Sequence, residues 1–303
     1  MRNALRNAYR GSSWLTVMAV AMTVLAVVAV VGLAADDRVV LGQPTWLKPF
    51  KFGVSFAVYA ITLAWLLSFV RPTWMKKVGV GLIVVGSYLE VALIVWQAAR
   101  GRASHFHVET ALDNAIWSAM GAMAALFGVG TAVVAIVVWR GRVKDRTTDV
   151  AAKVGLWLLL AGMGQAALMV VPTSEQRRLD EIEDQPMLGA HAVGVPDGGA
   201  GLPITGWSTT GGDLRVGHFV GVHGLQAMIL LAMLFPGRPQ VIKIAGGAYA
   251  GLLALVTWQA LRGQPLTQPD GLTLAAAGVL VAATAIGLLT IGRRVALPSL
   301  DRI

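Results

Sequence analysis

The chain is predicted to be an all-α integral membrane protein with eight transmembrane helices, and three observations on its 303 residues lead there. Hydrophobic residues make up 56% against 14% charged, with a mean hydropathy of +0.66, a balance foreign to soluble domains. Apolar runs recur at about 14–34, 49–70, 78–98, 114–139, 154–172, 217–236, 241–261 and 272–291. Each is long enough to cross about 30 Å of hydrocarbon as a helix. None alternates with period two, so the spans are helices rather than barrel strands, because lipid offers backbone polar groups no partner.

Charge sets the expected orientation. Of the 25 Lys and Arg residues, 16 fall in the N-terminus, the C-terminus and the loops of the same parity, and 9 in the other four loops. Positive residues stay inside, so both termini are expected in the cytoplasm and the protein in the plasma membrane. The net charge of +9 is thereby a matter of topology, not of nucleic-acid binding. Zero cysteines exclude structural disulfides, thiolate metal sites and dithiol redox chemistry.

Segment one follows Arg2, Arg6 and Arg10, and its apolar run exceeds the usual length of a cleavable signal, so it reads as a signal-anchor. Segment two opens with Trp46, Lys48 and Lys51, and a polar stripe continues along one helix face through Ser55, Tyr59 and Thr62. Segment three carries Ser87, Glu90 and Gln97 on one face; Glu90 is the one carboxylate well inside an apolar segment, a functional candidate by default. SHFH (Ser104 to His107) precedes segment four, which opens with Thr110-Ala-Leu-Asp113. The basic stretch Arg140 to Lys153 is a cytoplasmic topology determinant.

After segment five a long external loop runs from about Thr173 to Arg215. Ser174 to Gln185 reads as a charged helix capped by Ser174. Val195 to Arg215 is Gly-rich irregular backbone, and Leu202-Pro203-Ile204 with Trp207 suggests a lid docked on the helix ends. Segment six holds His218, His223 and Gln226 beside a small face of Gly217, Gly221 and Gly224. The two histidines lie about 140° apart on a helix, so they do not reach one ion without local unwinding. Segments one and eight look peripheral.

WQAARG (Trp96 to Gly101) ends segment three and WQALRG (Trp258 to Gly263) ends segment seven, and TALD before segment four corresponds to TQPD (Thr267 to Asp270) before segment eight. This predicts a tandem repeat of four helices, residues 1–146 and 147–303, with the lid in the second half.

The external helix ends collect the candidate site. Lys51, Glu90 and Asp113 are the candidate catalytic groups, with Lys51, Glu90 and Gln97 expected in one pocket. Lys48, Gln97, Arg100, Arg215, Gln226 and Gln259 are candidates for substrate binding, the cations as an anion funnel. His105, His107 and His223, with His218 in reserve, are candidate ligands of one metal ion or one haem b. Against these stand ordinary roles: a structural ion pair, snorkelling cations and packed histidines.

The runs WLKPFKFGVSFAVY (Trp46 to Tyr59), QAARGRASHFH (Gln97 to His107) with LDNAIWSAMG (Leu112 to Gly121), and GWSTTGGDLRVGHFVGVHGLQ (Gly206 to Gln226) resemble a family of uncharacterised bacterial multi-pass membrane proteins. That resemblance covers most of the chain and implies a shared design without a chemistry. In architecture alone the two halves are similar to haem A synthase-type and cytochrome b561-type proteins, but the histidines those need on corresponding helices are missing here. The functional expectation is a metal- or single-haem-dependent redox enzyme acting on a lipid or membrane-soluble substrate. A proton- or ion-coupled transporter and a non-catalytic assembly subunit are the rivals.

Overall fold

The computed structural model describes residues 2–171 and 186–296. The charged helix expected from Ser174 lies outside them. A short helix α1 (Arg2–Gly11) precedes α2 (Ser13–Ala35), α3 (Leu47–Leu67), α4 (Trp74–Ala99), α5 (Ala111–Arg140) and α6 (Arg146–Gln165), which the single turn α7 (Ala167–Val170) extends. After the long loop come α8 (Leu214–Val222), α9 (Gly224–Leu234), α10 (Pro239–Leu261) and α11 (Gly271–Ala296). Among the described residues, seven helical spans are long and apolar enough to cross a membrane, and α8 with α9, taken as one span bent by 45°, makes an eighth. The chain is built as a multi-pass helical membrane protein.

Polar residues start the helices where the sequence places them. Ser12, Thr73, Thr110, Asp145 and Asp213 each accept a backbone N–H of the first turn of α2, α4, α5, α6 and α8, and Pro239 opens α10. Glycine then sets how closely the helices approach. A Cβ on Gly79 or Gly130 would lie within 3.0 Å of atoms on the facing helix, so α4 and α5 meet nearly backbone to backbone. Gly162 on α6 faces Gly221 on α8, where a Cβ on either would sit within 2.5 Å of the other's Cα. One apolar cluster, including Leu63, Leu66, Ile83, Val134, Leu156 and Leu225, runs through both halves. Around it, the outward valines of α2 and most of α11 are exposed, a surface suited to lipid.

Segment six is the departure from a straight-helix expectation. The chain breaks at His223, between Gly221 and Gly224, which the sequence reading took only as a small packing face. The break leaves the Val220 carbonyl to the Tyr249 hydroxyl, which donates to it at 2.7 Å.

The two WQxxRG turns fold alike. Gln97 donates its amide to the carbonyl six residues on, Ala103 at 3.3 Å, and Gln259 does the same to Pro265 at 2.9 Å. Gly101 and Gly263 take φ of +67° and +72°, a left-handed conformation that glycine adopts without strain. Arg100 lies 6.0 Å from the Trp96 ring and Arg262 4.6 Å from the Trp258 ring, and each reaches an acid at the start of the next helix, Asp113 or Asp270. The register differs from the sequence alignment. Thr110 caps α5 with Asp113 three residues on, whereas Asp270 itself caps α11 with Thr273 three residues on, so Thr110 is equivalent to Asp270 and not to Thr267.

The Gly162–Gly221 contact yields a stability test. Gly162→Val places its methyls against the α8 backbone, which has no rotamer to yield, and the loss should reach or exceed the upper end of the roughly 1–3 kcal/mol typical of overpacking. Gly164→Ala, two residues on with nothing within 4 Å of its Cβ, should cost little. Thermal unfolding in detergent checks this, with equal stability of the two variants as the contrary result.

Candidate functional site

Four loops meet at one end of the bundle: 36–46, 100–110, 186–213 and 262–270. Their contacts show that the long one is a docked cover. A bridge joins His107 to Met187, Leu188 N donates to Phe106 O at 2.9 Å, and Val108 N donates to Pro186 O at 2.9 Å. The short strands β1 (Val39–Val40) and β2 (Gln43–Pro44) form a hairpin beside the cover, where a Cβ on Gly42 would lie 2.6 Å from Gly198 O. The cover's own strands, β3 (Ala192–Val193) and β4 (Gly212–Asp213), pair antiparallel, and Gly212 lies so close to Ala260 that no side chain fits. Trp207, as the sequence suggested, docks on a helix, its ring centroid 5.5 Å from that of Phe219.

Cations and acids pin the cover from below. Lys51 Nζ donates to the Thr205 carbonyl at 3.0 Å, and Arg215 donates to the Gly206 carbonyl at 2.6 Å while pairing with fully buried Asp213 at 2.5 Å. Asp197 accepts the backbone N–H groups of His191 and Ala192 and the His191 Nδ1–H, the last at 2.6 Å. Burial opposes the charge on Asp197, but these donors overturn it and hold the carboxyl well below the usual range. For His191, burial outweighs the carboxylate and lowers the imidazole below its ordinary value. The pair is therefore a neutral imidazole donating to a carboxylate.

Beneath the cover lies Glu90, buried on α4. Its Oε1 faces His105 Nε2 at 3.7 Å, and its Oε2 has no hydrogen-bond partner. Ser87, one turn deeper, also has a buried hydroxyl without a partner. His105 is walled by Phe52, Phe106 and Trp117, with ring centroids 6.1, 6.1 and 5.5 Å away, and Phe106 in turn packs 4.8 Å from His191. Burial holds His105 well below the usual imidazole value, and the charge of Lys48 pushes the same way. Deeper still, Tyr59 and Thr131 hydroxyls bond each other at 2.9 Å inside the apolar core.

The sequence candidates divide accordingly. Glu90, Lys48, His105 and His218 share the region under the cover. Lys51 and Gln97 do not pair with Glu90 as expected. Lys51 is committed to the cover, and Gln97 turns to Asp113, where Arg100 also donates to the same carboxylate at 2.7 Å. Asp113 is an ion-paired carboxylate in the first turn of α5, and Gln259 closes its own turn on the Pro265 carbonyl. Arg215 belongs to the cover's clasp. His107 turns away from His105, toward Glu109 and Asp113. His223 packs against Phe219 with centroids 4.4 Å apart and ring planes tilted by 58°, and among the described residues no hydrogen bond or ring contact joins it to His107. His218 Nδ1 is tied to the Gly162 carbonyl at 2.8 Å. Gln226, just past the helix break, has both ends of its buried amide unpartnered.

Two parts of the site escaped the sequence reading. The aromatic wall of Phe52, Phe106 and Trp117 is scattered over three segments and has no spacing signature. The His191–Asp197 pair did have one, since Pro196-Asp197-Gly198 is a turn that brings an acid back toward a histidine six residues earlier. Two open grooves of the surface, one along Tyr9, Trp14 and Tyr88 and one at Lys144 to Thr148, are lined by no histidine or glutamate.

No protein-family model matches the chain, and neither does any curated protein or solved structure. The class is therefore defined by what is built here: a helical multi-pass bundle with a fixed cover over a buried Glu–His pair.

Acid should loosen the cover. His105 and His191 bind a proton less readily in the folded chain than in the unfolded one, so stability falls as pH drops through the ordinary imidazole value of about 6.5, and Asp197 adds its loss only below about 4. Hydrogen-exchange protection of residues 186–213 should decrease between about pH 7.5 and 5.5. Asp197→Asn should show low protection at both ends, and protection that rises in acid would contradict the assignment.

Proposed function

We propose that the protein is a membrane-embedded enzyme whose site opens at the extracytoplasmic face and performs acid–base chemistry on the polar group of a lipid or membrane-soluble substrate. In this reading Glu90 and His105 exchange the proton, and Lys48 attracts a negatively charged group. The aromatic wall of Phe52 and Trp117 takes the apolar part. The observation that carries it is a carboxylate inside the membrane span with one oxygen 3.7 Å from an imidazole and the other free, under a cover fixed by charged clasps. Buried polar groups are ordinarily satisfied, and the exceptions cluster where a ligand or a proton completes the set. The two WQxxRG turns support a tandem origin in which residues 1–146 and 147–303 are copies, with chemistry retained in the first and the cover grown from the second.

A second reading, a proton-coupled carrier, is favoured by one feature, the span broken at His223 with the unpartnered Gln226 beside it. Below Ser87 and the Tyr59–Thr131 pair, however, the bundle is closed by apolar side chains, which suits a one-sided site better than alternating access.

Lipid extracts of cells expressing the wild type, Glu90→Gln or no protein test this. Glu90→Gln should reproduce the lipid profile of the null strain while the purified variant unfolds within a few degrees of wild type. A wild-type lipid profile with lowered stability would make Glu90 structural. Proton uptake by wild-type proteoliposomes, lost in Glu90→Gln, would favour the carrier.

A further inference from the structure

We infer a divalent metal site at the rim of the bundle, formed by His107, Glu109 and Asp113 and independent of the Glu90–His105 reading. The three residues fall within seven positions of sequence, His107 where the SHFH loop bridges to the cover and Asp113 in the first turn of α5. Their ligand atoms all lie within 4.8 Å of one another.

The donor set is orphaned. His107 is 8% exposed, and its Nε2 is buried without a hydrogen-bond partner, although two carboxylates flank it. Glu109 Oε2 is 3.3 Å away and Asp113 Oδ2 is 3.5 Å away. A charge-assisted hydrogen bond from an imidazole would close to about 2.7–2.9 Å. Ligands held at about 2.0–2.2 Å around a tetrahedral ion instead stand roughly 3.3–3.5 Å apart, the spacing that the two carboxylates keep from His107 Nε2.

A shell stands behind the ligands. Asp113 Oδ1 is taken by Gln97 at 3.2 Å and Arg100 at 2.7 Å, and Thr110 donates to Oδ2 at 2.6 Å, so the carboxylate is fixed with Oδ2 toward His107. Outer-shell bonds of this kind orient ligands in metal sites. Arg102 pairs with Glu109 on the surface, where both side chains are more than 40% exposed, and such a pair is weak enough for the guanidinium to move aside. One nitrogen and two carboxylate oxygens suit a borderline divalent ion such as Zn²⁺. Because only Glu109 among the ligands is exposed, the remaining coordination position faces the water side of the rim. The ion would fasten the SHFH loop to α5 and, through the His107–Met187 bridge, to the stem of the cover.

Full-length protein, purified in detergent and stripped with a chelator, is titrated with ZnCl₂ by calorimetry, with thermal unfolding in parallel. The expected result is one saturable Zn²⁺ per chain and a raised Tm. His107→Ala and Glu109→Gln should each lose the saturable binding and the Tm rise, whereas His105→Ala, two residues away, should keep both. Glu109 is exposed, so its variant keeps the test valid even where His107→Ala folds poorly. No saturable Zn²⁺ on the wild type, or wild-type binding by Glu109→Gln, would overturn the assignment. Loss of binding in His105→Ala with retention in His107→Ala would do so as well.

Discussion

A carboxylate inside hydrocarbon must be neutralised, paired or hydrated, since an unpaired charge there costs several kcal/mol. Glu90 is the residue on which that constraint falls, and the end of the bundle around it is arranged as an answer. Aromatic rings wall its imidazole partner, whose side chain keeps 21% exposure. The cover docks over the same end of the bundle. Among the described residues no lysine or arginine forms an ion pair with the carboxylate: Lys51 and Arg215 are held by cover carbonyls, Arg100 by Asp113, and Lys48 lies in the same region without an ion pair to it. A bundle selected only for stability would pair Glu90 or replace it with an apolar residue, because a buried ion pair rarely gains over well-packed hydrocarbon.

The cover depends on the same economy of polar groups. Its irregular backbone lies over helix ends that already carry unsatisfied groups, and it survives there because side chains of α3, α8 and the loop itself supply partners. Asp213 shows how tightly these roles are shared. It caps α8, accepts Ser208 N–H and pairs with Arg215, which in turn reaches Gly206. The cover is thereby tied through one carboxylate to the helix that breaks at His223.

Much of the fold was legible because hydropathy is a long-range average: eight apolar runs became seven spans and a bent pair, and the WQxxRG turns announced a local structure that recurs in both halves. What failed was fine register. Gly221 and Gly224 read as a packing face; Gly221 does meet Gly162 backbone to backbone, but the helix also breaks between the two glycines, at His223. Lys51 and Glu90 lie on helix faces that a wheel diagram brings together. A wheel carries no information about a cover arriving from 154 residues away to take the lysine. Histidines two apart, His105 and His107, point to different acids because the left-handed Phe106, with φ of +64°, turns the chain between them.

The natural absence of cysteine allows the most direct measurement. Ser87→Cys replaces a buried, unpartnered hydroxyl one turn below Glu90 by a thiol of nearly the same shape. A small membrane-impermeant thiol reagent is then applied to sealed membranes from each side in turn. A site reached only from beneath the cover predicts labelling from the extracytoplasmic side and none from the cytoplasmic side, with faster labelling when Asp197→Asn loosens the cover. Labelling from the cytoplasmic side, or from neither, would contradict the account.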